Sequence, residues 1–372
     1  MMPSLLSTYP TYDGTLERGG ARDGLTTEAM IPPTIATRQA WFAEASTAQR
    51  HDGLLDLPIL NQLEVRPAPR PLVTASAVRV VFWNAERCRH MKGTLDRLSS
   101  ERPDVLLLAE MDVGMARSHQ RHTVRDVAVD RDAGYVFGVE FIELTPGNDR
   151  DRAAVGGTTN AAGLHGNAIV SPFRLTRPAL IRFDRSRRWW RRPSSGQKRI
   201  GGRMAVAATL ALGRRAITVA AVHLESHSDA AHRAEQMDIL LDAIEAYAPD
   251  APVLIGGDLN TTTFSRDGLD REAVERRKRE LPADRLSKPV PYEPLFEVAR
   301  RHGFEWSSCN VPGGATQRPL VSGQSSTALC KLDWFLTRGL AATDPQIVPA
   351  THPVSGAALS DHEMIAVTVS LP

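Results

Sequence analysis

Long hydrophobic runs, cysteine and net charge are all scarce in this sequence, and each absence excludes a class of protein. No uncharged apolar stretch approaches the ~20 residues that a membrane-spanning helix needs, and the N-terminus lacks the basic and apolar segments of a secretion signal. Cys88, Cys309 and Cys330 have no CxxC spacing, so neither a disulfide framework nor a zinc ribbon is predicted. We therefore expect a cytoplasmic protein.

The charge balance and the length set further bounds. The 45 basic and 43 acidic side chains nearly cancel, which excludes the global positive field of a nucleic-acid coat protein and leaves only local basic surfaces. A chain of 372 residues is long enough for one large α/β domain or two smaller ones. The Pro-rich stretch RPAPRPLV indicates a stiff joint. We expect an N-terminal extension over residues 1–75, with a loosely ordered arm and short helices, and a main domain over residues 76–372.

After residue 75 the pattern consists mainly of short apolar runs. It predicts a strand over residues 77–84, a helix from Met91 to Arg102, a strand over residues 104–110 and a long helix from Asp229 to Tyr247. Many consecutive strands with few helices argue against a doubly wound parallel sheet. The pattern favours two packed sheets flanked by helices.

Several of the strand-like runs end in a polar side chain. These end residues are Asn84 after VVFW, Glu110 after VLLLA, His223 after AAV, Asp258 and Asn260 in VLIGGDLN, and Asp361 and His362 in LSDH. Each alone has an ordinary explanation, such as a turn former or an exposed strand end. Strand ends hold side chains rigidly beside solvent, which suits a preorganised site. Their recurrence therefore indicates one shared site, in which Asp258 and Asn260, two residues apart, point the same way.

The order of these motifs resembles that of the endonuclease/exonuclease/phosphatase superfamily, whose fold is like that of deoxyribonuclease I. The resemblance also uses LDWF at 332–335 and covers roughly residues 77–371. It implies an α/β fold, a four-layer sandwich of two mixed β-sheets flanked by helices, with residues 76–372 as the catalytic domain. It also implies a hydrolase of phosphoester bonds that depends on Mg²⁺ or Mn²⁺, without naming a substrate.

The metal and the attacking water are assigned to strand-end residues. Magnesium prefers oxygen ligands, so Glu110 is our preferred metal ligand. The resemblance implies that Asn84 and Asp361 complete or adjoin the metal position. It also implies that Asp258 orients or deprotonates the water and that Asn260 holds the phosphate or the metal.

Three histidines and an arginine are the remaining candidates. His362 suits proton exchange near neutral pH, and the resemblance implies that Asp333 fixes its tautomer. His223 would donate to a phosphoryl oxygen. His165 and Arg203 are expected to bind substrate, with a structural histidine and a surface arginine as the alternatives. Asp112 and Arg117 either support the site or begin a solvated helix.

The most concentrated positive charge lies in residues 182–203, RFDRSRRWWRRPSSGQKRIGGR, with Trp189 and Trp190 inside it. Three interpretations remain open: contact with nucleic acid through arginines and stacked indoles, insertion of the indoles at a lipid surface, or a loop whose tryptophans cover the domain.

The favoured function for the whole chain is a phosphodiesterase or nuclease. The alternatives are a phosphomonoesterase, a sphingomyelinase-like phospholipid phosphodiesterase and a non-catalytic binding module that retains the fold.

Overall fold

The computed structural model of the protein describes residues 26–184, 186–318 and 329–372, and most of the expected N-terminal arm, residues 1–25, lies outside these ranges. The helices are α1 (Ile35–Ala43), α2 (Ala48–Leu55), α3 (Pro58–Asn61), α4 (Met91–Glu101), α5 (Thr123–Asp130), α6 (Asp149–Val155), α7 (Arg188–Arg191), α8 (Ala230–Tyr247), α9 (Arg271–Arg279) and α10 (Leu295–Arg301). The strands are β1 (Thr26–Thr27), β2 (Leu63–Arg66), β3 (Ala77–Asn84), β4 (Val105–Val113), β5 (Gly134–Glu143), β6 (Leu164–Ser171), β7 (Thr176–Arg182), β8 (Arg199–Gly201), β9 (Met204–Leu212), β10 (Arg215–His223), β11 (Val253–Asp258), β12 (Asp333–Arg338), β13 (Ala341–Val348) and β14 (Met364–Ser370).

The strands form two mixed β-sheets. The larger sheet runs in the order β1-β2-β5-β6-β4-β3-β14-β13, with β8 paired to β5, and the smaller sheet runs in the order β12-β11-β10-β9-β7. At their centres β3 is parallel to β4, and β10 is parallel to β11. Apolar side chains such as Phe82 and Leu107 from one sheet and Val219 and Phe335 from the other fill the layer between the sheets.

Helices cover the outer face of each sheet. Leu98 of α4 and Val127 of α5 pack on the larger sheet, and Leu240 of α8 and Phe296 of α10 pack on the smaller one. The result is a helix, sheet, sheet, helix sandwich, so the predicted four-layer α/β fold is confirmed. No helix in the described part of the chain combines the length and apolar character needed to cross a membrane.

The individual elements around the main site match their predicted positions. Strand β3 ends at Asn84, α4 begins at Met91, and α8 begins after Asp229, whose side chain accepts a hydrogen bond from the backbone N–H of His232. An Asp at this position stabilises the first turn of a helix. Strong apolar runs and a capping residue therefore fixed these boundaries correctly.

Residues 26–66 pack against the larger sheet. Strand β2 pairs with β5 in antiparallel register. The buried Arg38 of α1 donates hydrogen bonds to the carbonyl oxygens of Asn160 and Ala162 at 2.6 and 2.7 Å. The division at residue 75 stays a prediction, but the short helices before it lie on the main sheet.

Candidate active site

The register of the smaller sheet brings three predicted residues together. His223 at the end of β10 pairs with Asp258 at the end of β11, which pairs with Asp333 at the start of β12. Directly paired residues on neighbouring strands face the same side of a sheet, so the three side chains stand in a row. Asn84 ends β3 in the facing sheet and contacts the middle of this row.

Asp258 is the centre of the row and is 2% exposed. Its Oδ2 accepts a hydrogen bond from Asn84 Nδ2 at 3.0 Å, and its Oδ1 accepts one from the backbone N–H of Asn260, also at 3.0 Å. The Nε2 atoms of His223 and His362 lie 3.4 and 3.7 Å from its Oδ2. These contacts fix the carboxylate in the orientation that a group acting on a water molecule requires.

His362 is paired with the buried carboxylate of Asp333. Its Nδ1 lies 2.9 and 3.1 Å from the two carboxylate oxygens, which leaves Nε2 directed toward Asp258. Burial acts to lower the pKa of His362, but the negative charges of Asp333 and Asp258 outweigh it and raise that pKa well above its usual value. The raised pKa of His362 favours the protonated imidazole, in which both ring nitrogens are hydrogen-bond donors.

His223 is held by a buried set of charges. The Nη1 of Arg203 lies 2.9 Å from the His223 Nδ1 and donates to Glu140 Oε1 at 2.8 Å, while Arg203 Nε donates to Glu225 Oε2 at 3.3 Å. Burial acts to raise the pKa of Glu140, but Arg203 and His223 lower it to about 2. The ionised Glu140 lies 3.5 Å from the His223 ring and helps to orient it.

Glu110 is directed into the site by an irregularity in β4. The pairing of β4 with β6 shifts between Leu108 and Met111, and Glu110 adopts a φ of 58°. A β-bulge of this kind changes the direction of a side chain, and a left-handed backbone at a non-glycine residue costs about 1 kcal/mol or more. Such strain occurs where it serves a site, and the Glu110 side chain is 17% exposed at the cavity.

The surroundings of Glu110 fit a hard divalent cation. The pKa of Glu86 is raised, mainly by burial and in addition by the negative charges of Asp361 and Glu110. Asn84 supplies an amide group beside these carboxylates, and its Oδ1 accepts a hydrogen bond from the Glu86 backbone N–H. Crowded carboxylates with an amide form the oxygen-only donor set that Mg²⁺ or Mn²⁺ prefers. A cation held there would neutralise charge on a phosphoryl group.

Among the described residues, one group of carboxylate and histidine side chains has metal-ligand spacing, and it lies on the other side of the cavity. Asp258, Asp333 and His362 each offer one ligand atom within 4.8 Å of the others. We favour a hydrogen-bonded pair over a metal at this position, because both Asp333 oxygens already contact the His362 Nδ1. The carboxylates around Glu110 contact Arg87 rather than one another, at 3.2 Å from Glu110 Oε2, and contain no histidine.

The carboxylates around Glu110 and the group formed by Asp258 and His362 face one cavity of about 350 Å³. Seven predicted residues line it, namely Glu110, Arg203, His223, Asp258, Asn260, Asp361 and His362. Asn84 and Asp333 lie behind the lining and hold Asp258 and His362. Basic side chains also face the cavity, and these are Arg87, Arg199, Arg203, Arg266 and Lys278. The cavity thus combines hydrolytic groups with a positively charged wall suited to an anionic substrate.

His165 lies apart from the cavity lining. It is 1% exposed on β6, and its Nδ1 lies 2.8 Å from Asp112 Oδ1 and 3.2 Å from Arg117 Nη2. The Asp112 carboxylate in turn binds Arg117 through two 2.9 Å hydrogen bonds. These residues form a buried network behind Glu110, so the structure favours a supporting position for His165, and Asp112 and Arg117 do not begin a solvated helix.

The two tryptophans of the basic loop are buried, which favours the interpretation of a loop whose tryptophans cover the domain. Trp189 is 7% and Trp190 is 0% exposed. The indole N–H of Trp190 donates to the Thr47 carbonyl at 3.0 Å, and that of Trp189 donates to Glu225 at 3.0 Å. Both rings pack against the domain, and Trp189 also contributes to the lining of the cavity. Contact with a partner through the exposed Arg191 and its neighbours stays a prediction.

Three residues of the site were not identified from the sequence. Glu86 follows Asn84 by two residues, and a carboxylate so close to a candidate ligand was an available signal. Glu140 lies within a continuous apolar strand pattern, where a lone acidic residue was a weaker signal. Arg87 gave no sequence signal, because its role depends on its position 3.2 Å from Glu110 Oε2.

A four-layer α/β sandwich with a carboxylate cluster and a His–Asp pair at one end of its sheets defines a class of hydrolase. The model of the endonuclease/exonuclease/phosphatase family matches residues 81–362, so the chain belongs to this family. Its members generally hydrolyse phosphoester bonds and depend on divalent metals. The family thus supports a metal-dependent phosphoester hydrolase in general and leaves the substrate open. No curated protein matches the sequence.

Solved structures with the same fold are distant in sequence. An endonuclease/exonuclease/phosphatase from Beutenbergia cavernae is 18% identical with a TM-score of 0.53, and the match covers 80% of this chain and 72% of that one. The human Nocturnin catalytic domain, solved with bound sulfate, is 15% identical with a TM-score of 0.51 and coverages of 83% and 97%. A Bacteroides vulgatus family member is 12% identical with a TM-score of 0.51 and coverages of 80% and 99%. At these identities the likeness establishes the fold alone.

Proposed function

We propose that this protein is a divalent-metal-dependent phosphodiesterase that cleaves nucleic acid. The observation that carries the proposal is the oriented Asp258 carboxylate, which lies between two histidines and opposite the oxygen-donor cluster of Glu110 in a single cavity. Hydrolysis of a phosphodiester needs an activated water, neutralised phosphoryl charge and a group that assists the leaving oxygen. The residues facing this cavity can meet each of these needs.

Asp258 takes the proton from the attacking water in the proposed reaction. The water oxygen forms a bond to phosphorus while the bond to the leaving oxygen breaks, and the leaving oxygen then takes a proton from solvent. A cation held at Glu110 would neutralise the charge on that oxygen. His223 and the protonated His362 donate through Nε2 to phosphoryl oxygens, where negative charge increases in the transition state. Glu110, Asp361 and Asn84 would hold Mg²⁺ or Mn²⁺, and Asn260 would hold the phosphate.

The preference for a nucleic-acid substrate rests on local charge around the cavity. Lys278 of α9 lines it, and the neighbouring Arg276, Arg277 and Arg279 are exposed on the same short helix. Lys278 and Arg277, which lies over the ring of the lining residue Phe264 at 4.4 Å, place positive charge at the edge of the cavity. This charge suits a substrate with phosphates on both sides of the cleaved one. The burial of Trp189 and Trp190 weakens the predicted insertion at a lipid surface and equally the predicted stacking on bases, so the preference for nucleic acid rests on charge.

The test is hydrolysis of bis-(p-nitrophenyl) phosphate and p-nitrophenyl phosphate with Mg²⁺, with Mn²⁺ and with a chelator. We expect metal-dependent cleavage of the diester that is lost in Asp258→Asn and kept in Asp242→Asn, since Asp242 is 56% exposed on α8. A single-stranded oligonucleotide and phosphatidylcholine vesicles then separate nucleic acid from lipid. Cleavage of the monoester alone, or of lipid alone, would contradict the proposal.

A further inference from the structure

Arg87 occupies a strained turn beside the carboxylate cluster. It follows β3 in the segment Glu86–Cys88, whose three residues have φ values of 41°, 69° and 48°. Left-handed backbone is unfavourable for a non-glycine residue, and here three such residues follow one another. The surrounding structure maintains this turn, and the turn directs the guanidinium into the cavity.

The guanidinium of Arg87 is placed between two acids. Its Nη2 lies 3.2 Å from Glu110 Oε2, and its Nη1 lies 3.8 Å from Glu86 Oε1. Its Nε is buried and has no hydrogen-bond partner among the described residues. Since a guanidinium carries five N–H donors in a planar fork, this one retains donors that its protein neighbours do not use.

Arg87 and a divalent cation would compete for the same oxygen. The carboxylate that Arg87 contacts is the one that the proposed function assigns to the metal, and two positive charges within a few ångströms of each other repel strongly in a cavity of low dielectric. A guanidinium displaced from Glu110 remains in the cavity. The partner that matches its planar fork there is a phosphoryl group.

We propose that Arg87 is a phosphate ligand controlled by the metal: it pairs with Glu110 in the metal-free protein and contacts the substrate's phosphoryl oxygens once Glu110 binds the cation. The inference rests on the proposed function for the metal position. It means that Arg87 couples the two binding events, since occupation of Glu110 frees the donors that phosphate needs. By linkage, phosphate then strengthens metal binding by the same factor.

The experiment is calorimetric titration of the full chain with Mg²⁺ and with inorganic phosphate, each alone and with the other present. In Arg87→Gln we expect Mg²⁺ alone to bind about 5-fold more tightly and phosphate with Mg²⁺ to bind about 10-fold more weakly, since one competing charge and one charged donor pair are lost. Arg87→Lys should keep the competition with Mg²⁺ and lose most of the phosphate affinity, because it keeps the charge without the fork.

Arg150→Gln is the matched control. Arg150 also lies 3.8 Å from Glu86, but it is 71% exposed and does not line the cavity, so both affinities should stay as in the wild type. Unchanged or weaker Mg²⁺ binding in Arg87→Gln, with a native circular dichroism spectrum, would overturn the role of Arg87. A wild-type protein that binds no divalent cation at all would instead overturn the proposed function, which distinguishes the two failures.

Discussion

Glu64 offers a quantitative test of how residues 26–66 belong to the catalytic fold. It lies on β2 and is 1% exposed. Its Oε1 accepts hydrogen bonds from the Tyr135 hydroxyl at 2.5 Å and from His122 Nε2 at 2.8 Å, and its Oε2 accepts one from the Met30 backbone N–H at 2.9 Å. A single carboxylate thus joins the N-terminal segment to β5 and to the residue that precedes α5.

The pKa of Glu64 gives the size of the effect. Burial acts to raise this pKa, but the hydrogen bonds from His122 and Tyr135 outweigh burial and lower it from its ordinary 4.5 to about 2. Since the folded-state value is below the unfolded one, the stabilisation is present above pH 4.5 and is lost as the pH falls toward 2. At 1.36 kcal/mol per pKa unit, the carboxylate contributes about 3 kcal/mol near neutral pH.

Glu64→Gln removes this contribution while keeping the shape of the side chain. The free energy of unfolding, measured by urea titration with tryptophan fluorescence, should fall by about 3 kcal/mol at pH 7, and the gap to the wild type should narrow by about 1 kcal/mol between pH 5 and pH 3.5. Glu28→Gln is the control, because Glu28 belongs to the same segment and its side chain is 89% exposed. A gap of the same size at both acidic pH values would refute the reasoning.

Three further changes probe the site and its wall. Asp333→Asn should lower kcat about 10²- to 10⁴-fold in steady-state kinetics with little change in KM, because it removes the charge that keeps His362 protonated and oriented; wild-type kcat would refute this pairing. Glu110→Gln should abolish calorimetric binding of Mg²⁺ while the circular dichroism spectrum stays native, and retained binding would move the metal elsewhere. Trp190→Ala should lower the free energy of unfolding by about 3–5 kcal/mol in urea titration without changing adsorption to liposomes, and a loss below 1 kcal/mol would contradict its burial.

The parts of the site that follow from short-range pattern were predictable. An apolar strand that ends in a polar residue specifies both a strand and the place where its side chain meets solvent, and Asn84, His223 and Asp258 all follow this rule. Parallel pairing of the central strands then brings such ends together. The strand-end pattern thus located the individual residues, parallel pairing of β10 with β11 joins His223 to Asp258, and the packing of the two sheets adds Asn84.

The parts that depend on contacts distant in sequence were not predictable. Trp190 lies in a run of arginines, and its burial requires Thr47, which lies 143 residues earlier in the chain. His165 carries no local sign of the buried pair formed by Asp112 and Arg117, since those residues reach it only through the register of β4 with β6. Strand β2 is four residues long and has no clear alternation, so its place in the sheet depended on β5.

The segment between β7 and β9 connects the N-terminal helices to the cavity. On its outer side, Lys198 donates hydrogen bonds to the carbonyl oxygens of Trp41 and Phe42 at the end of α1, at 3.2 and 3.0 Å, and stacks over the Trp190 ring at 4.2 Å. On its inner side, the adjacent Arg199 lines the cavity and lies over the Trp189 ring at 4.5 Å. Lys198 directly precedes β8 and Arg199 begins it, so the helices before residue 66 anchor the segment that carries Arg199 in the cavity lining. The family match begins at residue 81, and the contacts that shape this cavity begin well before it.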